Sequence, residues 1–304
     1  MASYSPDQLH LYFDRIHYPS SHHPTDPLAF LTHLLKNQLV YVPFETLSLH
    51  YSIDRQISLN HQDLFNKIVG KGRGGYCLEN NTFFGSMLES LGFKVMGVFC
   101  RITYATRGIY DGSWRAMSHM ANIVTIGDTR YLVDVGYGTD GPSSPLSLES
   151  GTVYPGLPGQ QLRLEKKTLP QHTDPSQAVW VYSQRREPED WQEVYHFPDV
   201  EMFPADFEVL NHYAMTKSLW SQVVVAQRFV FGDDVDVGLG DERRIEGSVV
   251  LVRDQVKSRV GKDEEVVKSI GTEGERIEVL EKEFGITLAK EECRAIEGFV
   301  SELQ

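Results

Sequence analysis

The 304-residue sequence predicts an α+β protein in which a helical, a β and a mixed region follow one another along the chain. Three observations predict this class. Apolar residues keep helical spacing over residues 1–92, follow strand patterns over 93–203, and do both over 204–304. The length suits two or three domains of roughly 150 residues each. Hydrophobic residues make up 41% of the chain, enough for a large core.

Capping signals place the helices of the first region. Ser5-Pro6 and Asp26-Pro27 each combine an N-cap residue with proline at the first helical position. We expect a third helix over Asp63–Val69, because Gly70 follows as a stop signal. A fourth helix is expected over residues 77–92.

The spacing of apolar residues changes from helical to strand-like after residue 92. Gly127-Asp128 lies between two apolar runs and predicts a hairpin turn. The expected strands are Lys94–Thr103, His119–Ile126, Thr129–Val135, Leu162–Lys166, Ala178–Gln184 and Glu193–Phe197.

The last third mixes both patterns. A short helix is expected over Pro204–Asn211, and strands are expected over Val223–Phe231 and Ile245–Val252. The capping box Thr272-x-x-Glu275 predicts a helix start. A final helix is expected over Lys290–Leu303.

Charge and composition exclude several classes of partner. The formal net charge of −13 argues against nucleic acid or an anionic membrane surface. It is uneven, since residues 1–150 carry a net −2 and residues 151–304 a net −11. No apolar run approaches the roughly 18 residues of a membrane span. The N-terminus has no signal-peptide pattern, so we expect a cytoplasmic protein.

Three scattered cysteines, Cys77, Cys100 and Cys293, fit free thiols better than a disulfide framework. The sequence has no CxxC, HExxH or Cys/His cluster at zinc spacing, so we expect no metal. Cys100 and Cys293 lack glycines and a helix start nearby, and we interpret them as small hydrophobic residues.

Cys77 stands in a different context, the segment KGRGGYCLENN. Two glycines before it allow a sharp turn that brings the thiol to a helix N-terminus. The partial positive charge there favours the nucleophilic thiolate, and Arg73 adds charge nearby. A buried, inert cysteine is the alternative, and the local context alone leaves the two interpretations about equal.

A nucleophilic cysteine needs a base, and the base needs an orienting group. His119 begins one predicted strand and Asp134 ends another. If these strands pair across the predicted hairpin turn, the two side chains come close together. A lone carboxylate in the apolar run YLVDVGYG is costly to bury without a partner. Taken singly, a core histidine and a turn aspartate are the simpler interpretations.

Several motifs in the right order resemble one enzyme family. RGGYCLENN is similar to the R-G-G-x-C-x-[EQ]-x-N signature of the arylamine N-acetyltransferases, and VPFETL to their V-P-F-E-N-L, with Thr46 in place of Asn. DVGYG resembles D-V-G-[FY]-G. Asp206-Phe207, with Asn211 and Tyr213, resembles D-F-x-x-x-N-x-Y. The likeness extends over nearly the whole chain.

The resemblance implies a fold and a set of roles. The three regions would be a helical bundle (1–92), a β-barrel (93–203) and an α/β lid (204–304), with a cysteine-protease-like core. Cys77 would accept the acyl group, His119 would be its base, and Asp134 would orient His119. The resemblance also implies that Arg73, Glu45 and Asn81 support the site structurally, and that Phe44 and Tyr137 line an aryl pocket. The residues that it implies for acyl-CoA contacts are Gly136, Gly138, Ser118, Arg115, Thr216, Lys217 and Ser218.

The implied reaction is ping-pong transfer of an acyl group from CoA to an arylamine, arylhydrazine or N-hydroxyarylamine, in xenobiotic detoxification. Acyl-CoA would be a co-substrate, with no permanently bound cofactor. The sequence TKSLWS departs from the family's T-S-P-x-S-x-F, so acetyl, propionyl and malonyl donors stay open, and Lys217 would suit a charged donor. We expect a monomer or weak homodimer.

Two other functions remain open at this point. A thiol hydrolase or transglutaminase-like amide exchanger shares the order Cys, His, Asp. A catalytically inactive homologue would bind small molecules without reaction, although the complete triad argues against it.

Overall fold

The computed structural model describes residues 4–107, 109, 111–186, 188–232, 243–261 and 266–303. Its helices are α1 Pro6–Arg15, α2 Pro27–Tyr41, α3 His61–Phe65, α4 Cys77–Ser90, α5 Pro204–Lys217, α6 Glu273–Phe284 and α7 Lys290–Arg294. Its strands are β1 Phe44–Glu45, β2 Lys94–Thr103, β3 Trp114–Ile126, β4 Thr129–Val133, β5 Leu146–Ser147, β6 Val153–Pro155, β7 Gln160–Lys167, β8 Val179–Arg186, β9 Gln192–Phe197, β10 Val225–Phe231, β11 Ile245–Val252, β12 Gln255–Val260 and β13 Val266–Ser269.

The predicted caps begin the first helices. The Ser5 hydroxyl accepts a hydrogen bond from the amide of Gln8, and the Asp26 carboxylate accepts one from Ala29. The third helix differs from the prediction, because the Asn60 side chain caps it two residues earlier. Helix α3 then continues into a π turn over Asn66–Gly70.

Eight antiparallel strands form a nearly closed barrel. Their order is β5-β4-β3-β2-β9-β8-β7-β6. Ser147 on β5 contacts the Tyr154 hydroxyl on β6 through its amide and its side chain, which brings the two edges of the sheet together. Helix α4 packs against β2 and β3. The β3–β4 hairpin turns at residues 127–128, as the sequence predicts.

A second antiparallel sheet has the order β1-β10-β11-β12-β13. Its first strand comes from the helical region, since Phe44 pairs with Gln227 and Glu45 with Ala226. The mixed α+β class is confirmed. The division at residues 92 and 203 stays a prediction, and strand β1 shows that the first and third regions share a sheet.

The chain ends differently from the prediction. The expected helix over Lys290–Leu303 is wrong beyond Arg294, where α7 ends in a series of turns. Gly298 adopts a φ of 73°, which no continuing α-helix allows. Helix α5, in contrast, extends to Lys217, six residues past its expected end. Among the described residues, no helix has the length and apolar character needed to cross a membrane.

Candidate active site

Cys77 is the first residue of α4, at the end of a tightly packed turn. A Cβ on Gly74 would lie 1.8 Å from the carbonyl oxygen of Pro43, so only glycine fits there. The Glu79 carboxylate accepts a hydrogen bond from the Tyr76 amide at 3.0 Å and fixes the entry to the helix. The predicted placement of Cys77 at a helix N-terminus is confirmed, and 5% of the residue is exposed.

The structure brings His119 and Asp134 together. His119 Nε2 lies 2.7 Å from Asp134 Oδ2, and both residues are 1% exposed. The other carboxylate oxygen accepts hydrogen bonds from Asn81 Nδ2 and from the Gly136 amide, both at 2.9 Å. Asn81 Oδ1 in turn accepts the amide of Val135 at 3.0 Å. The carboxylate is therefore fully bonded, which compensates its burial.

The charges of this pair favour the ionised forms. Burial alone would lower the pKa of His119, but the Asp134 charge and hydrogen bonds with Asp134 and Cys77 raise it to about 10. Burial likewise opposes ionisation of Asp134, yet the His119 charge and the hydrogen bonds it accepts hold its pKa below the usual value. His119 is thus an imidazolium at neutral pH, and Nδ1 is the nitrogen left for Cys77.

The other two thiols have different surroundings. Cys100 is completely buried, and burial raises its pKa well above the ordinary value. Cys293 is half-buried, and burial raises its pKa as well. Only Cys77 combines a helix N-terminus with a hydrogen-bonded histidine among the described residues.

Two tyrosines enclose the histidine. The ring of Tyr137 meets that of His119 edge-on at 5.1 Å between centroids, and the ring of Tyr195 lies 5.3 Å from it. Tyr195 was not expected, because it lies on β9 and reaches the site only through the pairing of β9 with β2. The alternating apolar residues of β9 do not predict that Tyr195 contacts His119.

Phe44 belongs to the same apolar cluster as Cys77. Its ring packs edge-on against Trp220 at 5.4 Å, so the segment after α5 reaches this cluster. Of the donor residues expected at the end of α5, Thr216 and Ser218 donate their hydroxyls to carbonyl groups of that helix, and Lys217 is exposed. The structure therefore brings Trp220 to the cluster, which was not expected from the sequence.

Charged side chains stabilise the turn that precedes Cys77. Arg73 contacts Glu45 Oε1 at 3.2 Å through both Nε and Nη2, as the resemblance implies. Lys67 Nζ lies 2.6 Å from Glu79 Oε1 and 3.5 Å from Glu45 Oε1. Glu292 of α7 contacts Arg73 Nη1 at 3.2 Å. The contributions of Lys67 and Glu292 were not expected from the sequence.

The loop after Asp134 passes close to the helix. A Cβ on Gly136 would lie 2.7 Å from the Cα of Cys77, and one on Gly138 would meet the Gln227 side chain at 2.6 Å. Ser118 directly precedes His119 on β3, and Arg115 lies earlier on the same strand. The Ser118 hydroxyl is buried and has no hydrogen-bond partner among the described residues.

The part of the chain that the structure describes contains no group of three or more His, Cys, Asp or Glu side chains arranged to hold a metal ion.

Comparisons with known proteins identify the family. A family model described as N-acetyltransferase matches residues 27–293. The N-malonyltransferase FDB2 of Gibberella moniliformis is 32% identical over 285 residues, covering 88% of this chain and 81% of the relative. The arylamine N-acetyltransferase of Mycobacterium bovis is 31% identical over 301 residues, covering 97% and 95%.

A solved structure, that of Mycobacterium marinum arylamine N-acetyltransferase in complex with CoA, superposes with a TM-score of 0.78. It is 23% identical and covers 97% of this chain and 99% of that one, so the fold is shared over the full length.

The fold and these relatives define an acyltransferase. The chain belongs to the arylamine N-acetyltransferase family, because the family model and relatives above 30% identity cover most of its length.

Proposed function

We propose that the protein transfers an acyl group from CoA to an aromatic amine by a ping-pong reaction through a Cys77 thioester. The observation that carries this proposal is the buried chain of contacts from Cys77 to His119 to Asp134 at the N-terminus of α4. Residues 1–92 would supply the nucleophile, residues 93–203 the His119–Asp134 pair, and residues 204–304 a lid.

In the first half-reaction the Cys77 thiolate attacks the carbonyl carbon of the acyl-CoA thioester. A new C–S bond forms, the bond to the CoA sulfur breaks, and His119 donates its proton to the leaving thiolate. The acyl group stays activated, because one thioester has replaced another.

In the second half-reaction the amine attacks the Cys77 thioester. His119 Nδ1 accepts the proton of the amine, the amide leaves, and the thiolate–imidazolium pair is restored. Asp134 keeps the imidazole ring oriented throughout, because its second oxygen is held by Asn81 and Gly136.

Aromatic amines are the acceptors that this chemistry favours. Alkylamines have a pKa near that of lysine, about 10.4, and are protonated at neutral pH. Arylamines, arylhydrazines and N-hydroxyarylamines keep a free lone pair. Phe44 and Tyr137, near Cys77 and His119, would provide an apolar wall for their rings. Such a reaction suits the detoxification of foreign aromatic amines.

The CoA chain would pass along the backbone of Gly136 and Gly138, as the resemblance implies. The unpartnered hydroxyl of Ser118 and the guanidinium of Arg115 would contact the donor from β3. At the end of α5, Lys217 would contribute a charge, with Thr216 and Ser218 as neighbours. The CoA complex of the Mycobacterium marinum enzyme supports a CoA site on this fold.

Acetyl-CoA is the first candidate donor and malonyl-CoA the second. The N-malonyltransferase relative favours the second candidate. A malonyl group carries a carboxylate that the exposed Lys217 would attract. Comparing the kcat/KM of wild type and Lys217→Ala with both donors separates the two, because the malonyl reaction should lose more than the acetyl reaction when this charge is removed.

Initial-rate kinetics test the proposed mechanism. Double-reciprocal plots against acetyl-CoA at several concentrations of aniline should give parallel lines, because CoA leaves before the amine binds. Intersecting lines would contradict a covalent intermediate. Rapid CoA release without amine, at a rate that aniline does not increase, would instead favour a thiol hydrolase.

A further inference from the structure

Trp220 packs against the apolar cluster that contains Cys77. Its ring meets the ring of Phe44 edge-on, with the two centroids 5.4 Å apart. Trp220 belongs to the single turn Leu219–Ser221 that follows α5, and it is half-buried, so part of the residue stays open to an entering molecule. An aromatic acceptor placed against Phe44 would therefore meet the indole as a neighbouring wall.

The carbonyl group of Trp220 is bonded to a buried histidine. Nε2 of His50 lies 2.9 Å from the carbonyl oxygen of Trp220 and 3.1 Å from that of Val223. Both oxygens can only accept, so Nε2 carries the hydrogen and donates to them. The Val223 carbonyl also accepts the Thr46 hydroxyl at 3.1 Å. Removing the imidazole would therefore leave Val223 with one bond from Thr46, and would take the donor away from the Trp220 carbonyl.

His50 is itself fixed in one orientation and one protonation state. The residue is completely buried, and burial lowers the pKa of its imidazole to about 4. His50 is therefore neutral at pH 7 with Nδ1 as an acceptor, and the Ser301 hydroxyl donates to Nδ1 at 2.8 Å. The Ser301 carbonyl accepts two hydrogen bonds from Arg276. A chain of hydrogen bonds thus runs from α6 through His50 to the turn that carries Trp220.

We propose that His50 is a positioning residue for the acceptor site: it holds Trp220 against Phe44, and the indole then limits the size of the aromatic amine. A wall excludes a larger ring only if it cannot move away, and the bond from His50 keeps the turn in place. Single-ring amines fit beside Phe44, whereas a second fused ring collides with the indole. The inference rests on the proposed acyl transfer, because it concerns the amine that attacks the Cys77 thioester.

Transfer from the preformed acyl-enzyme tests the proposal without involving CoA binding. The protein is labelled on Cys77 with acetyl-CoA, freed of CoA by rapid desalting, and mixed with aniline or 2-naphthylamine. These two amines differ by one fused ring, and their amino groups have similar basicity. The ratio of their second-order rate constants measures the size limit. In the wild type it should favour aniline by about tenfold or more.

Variants at the wall and at its support should change this ratio. Trp220→Ala should abolish the preference for aniline, because the indole no longer occupies the space beside Phe44. His50→Leu should reduce it strongly, since the Trp220 carbonyl loses its donor. His50→Gln should restore it, because a glutamine amide can donate to that carbonyl and accept the Ser301 hydroxyl. A residue needed only for stability would slow both amines together and leave the ratio unchanged.

Ser301→Ala is a milder variant that keeps the imidazole in place. Loss of the hydroxyl leaves Nδ1 without its donor, and the preference for aniline should fall about two- to threefold. His212→Leu, at an exposed position of α5, is the matched control for the histidine variant and should keep the wild-type ratio.

An unchanged ratio in Trp220→Ala, in Ser301→Ala, or in folded His50→Leu would overturn the inference and leave the acyl transfer standing. A wild type that uses 2-naphthylamine as well as aniline would overturn it too. The absence of an acyl group on Cys77 in the wild type would instead overturn the proposed function, and this inference with it.

Discussion

At the residue scale, the turn before Cys77 is held by charges that depend on one another. Glu45 is fully buried, and its pKa stays low in spite of burial because Arg73 and Lys67 compensate its charge. Burial raises the pKa of Glu79, and Lys67 opposes that rise. Lys67 therefore pairs with two buried carboxylates. Its removal would leave the negative charges of Glu45 and Glu79 less compensated.

Lys67→Gln should lower the free energy of unfolding by about 2–4 kcal/mol, because removing one partner of a buried ion pair leaves an uncompensated charge. Urea denaturation measures the change. Lys67→Gln/Glu79→Gln should recover most of the loss, since two amides can hydrogen-bond without charge. A double variant no more stable than Lys67→Gln would contradict this account.

Asp134→Asn should change the pH dependence of the reaction. The pKa of His119, raised from 6.5 to about 10, means that the imidazolium persists at neutral pH and is lost only as pH rises through about 10. Without the carboxylate that pKa falls. The alkaline limb of kcat/KM should therefore move to lower pH, and activity at pH 7 should drop by about 10²–10⁴-fold.

The control for Asp134→Asn is Asp128→Asn, at an exposed turn position of the same hairpin. It should leave the profile unchanged. An alkaline limb that stays in place in Asp134→Asn would show that Asp134 does not set the protonation of His119.

The sequence predicted the His119–Asp134 contact because one hairpin turn connects their strands, so the partners are close in sequence. It could not predict Tyr195 beside His119, or Lys67 beside Glu45. Tyr195 depends on β9 pairing with β2, and Lys67 on a π turn that follows a side-chain cap at Asn60. Contacts set by such long-range or irregular geometry leave no periodic signal.

At the element scale, the approach of the loop at Gly136 to helix α4 defines the site. Gly136→Ala would place a methyl group 2.7 Å from the Cα of Cys77 and 2.6 Å from Asn81 Nδ2. The helix and loop must move apart, which should cost about 1–3 kcal/mol of stability and misplace the thiol relative to His119. Thermal unfolding and the rate of CoA release measure the two effects.

Gly70→Ala is the matched control for this variant. A Cβ there meets no atom within 4 Å, and its φ is not positive. Its stability should change by no more than about 0.5 kcal/mol. Equal effects of Gly136→Ala and Gly70→Ala would mean that the close approach at Gly136 does not matter.

The strands were easier to predict than the chain end. Strand β2 has the predicted bounds, Lys94–Thr103, and β11 has the predicted bounds, Ile245–Val252, because both are long apolar runs. Strand β13 is exposed along its length and lacks that signal. Helix α7 ends at Arg294, and the turns that follow it, with a positive φ at Gly298, were not indicated by the pattern of the surrounding residues.

At the scale of the whole molecule, the last residues of the chain return to the turn that carries Cys77. Glu292 pairs with Arg73, and Ser301 contacts the His50 imidazole at 2.8 Å. The completely buried Arg276 donates two hydrogen bonds to the carbonyl of Ser301. The C-terminal segment therefore compensates two buried guanidinium groups.

Deletion of residues 290–304 should lower stability by about 3–5 kcal/mol or more, because Arg276 loses the Ser301 carbonyl, keeping Glu273 as its partner, and the core residue Ile296 is removed. Differential scanning calorimetry measures the loss. Glu292→Gln should reproduce part of it, whereas Glu291→Gln, its exposed neighbour, should not. A truncated chain as stable as the full one would contradict this role.

The order of helical, β and mixed regions could be predicted from periodicity alone, because each region has its own spacing. The joining of the first and third regions could not. Strand β1 is two residues long and pairs with β10 across about 180 residues of sequence. Phe44 therefore joins that sheet only once the chain has folded.

Mass spectrometry of the intact protein tests whether Cys77 forms a thioester. After brief exposure to acetyl-CoA or malonyl-CoA without amine, we expect a mass increase of one acyl group. The adduct should disappear when aniline is added and be absent in Cys77→Ser, and the faster-labelling donor is the preferred one. No adduct from either donor, with the protein folded and its thiols reduced, would contradict acyl transfer through Cys77.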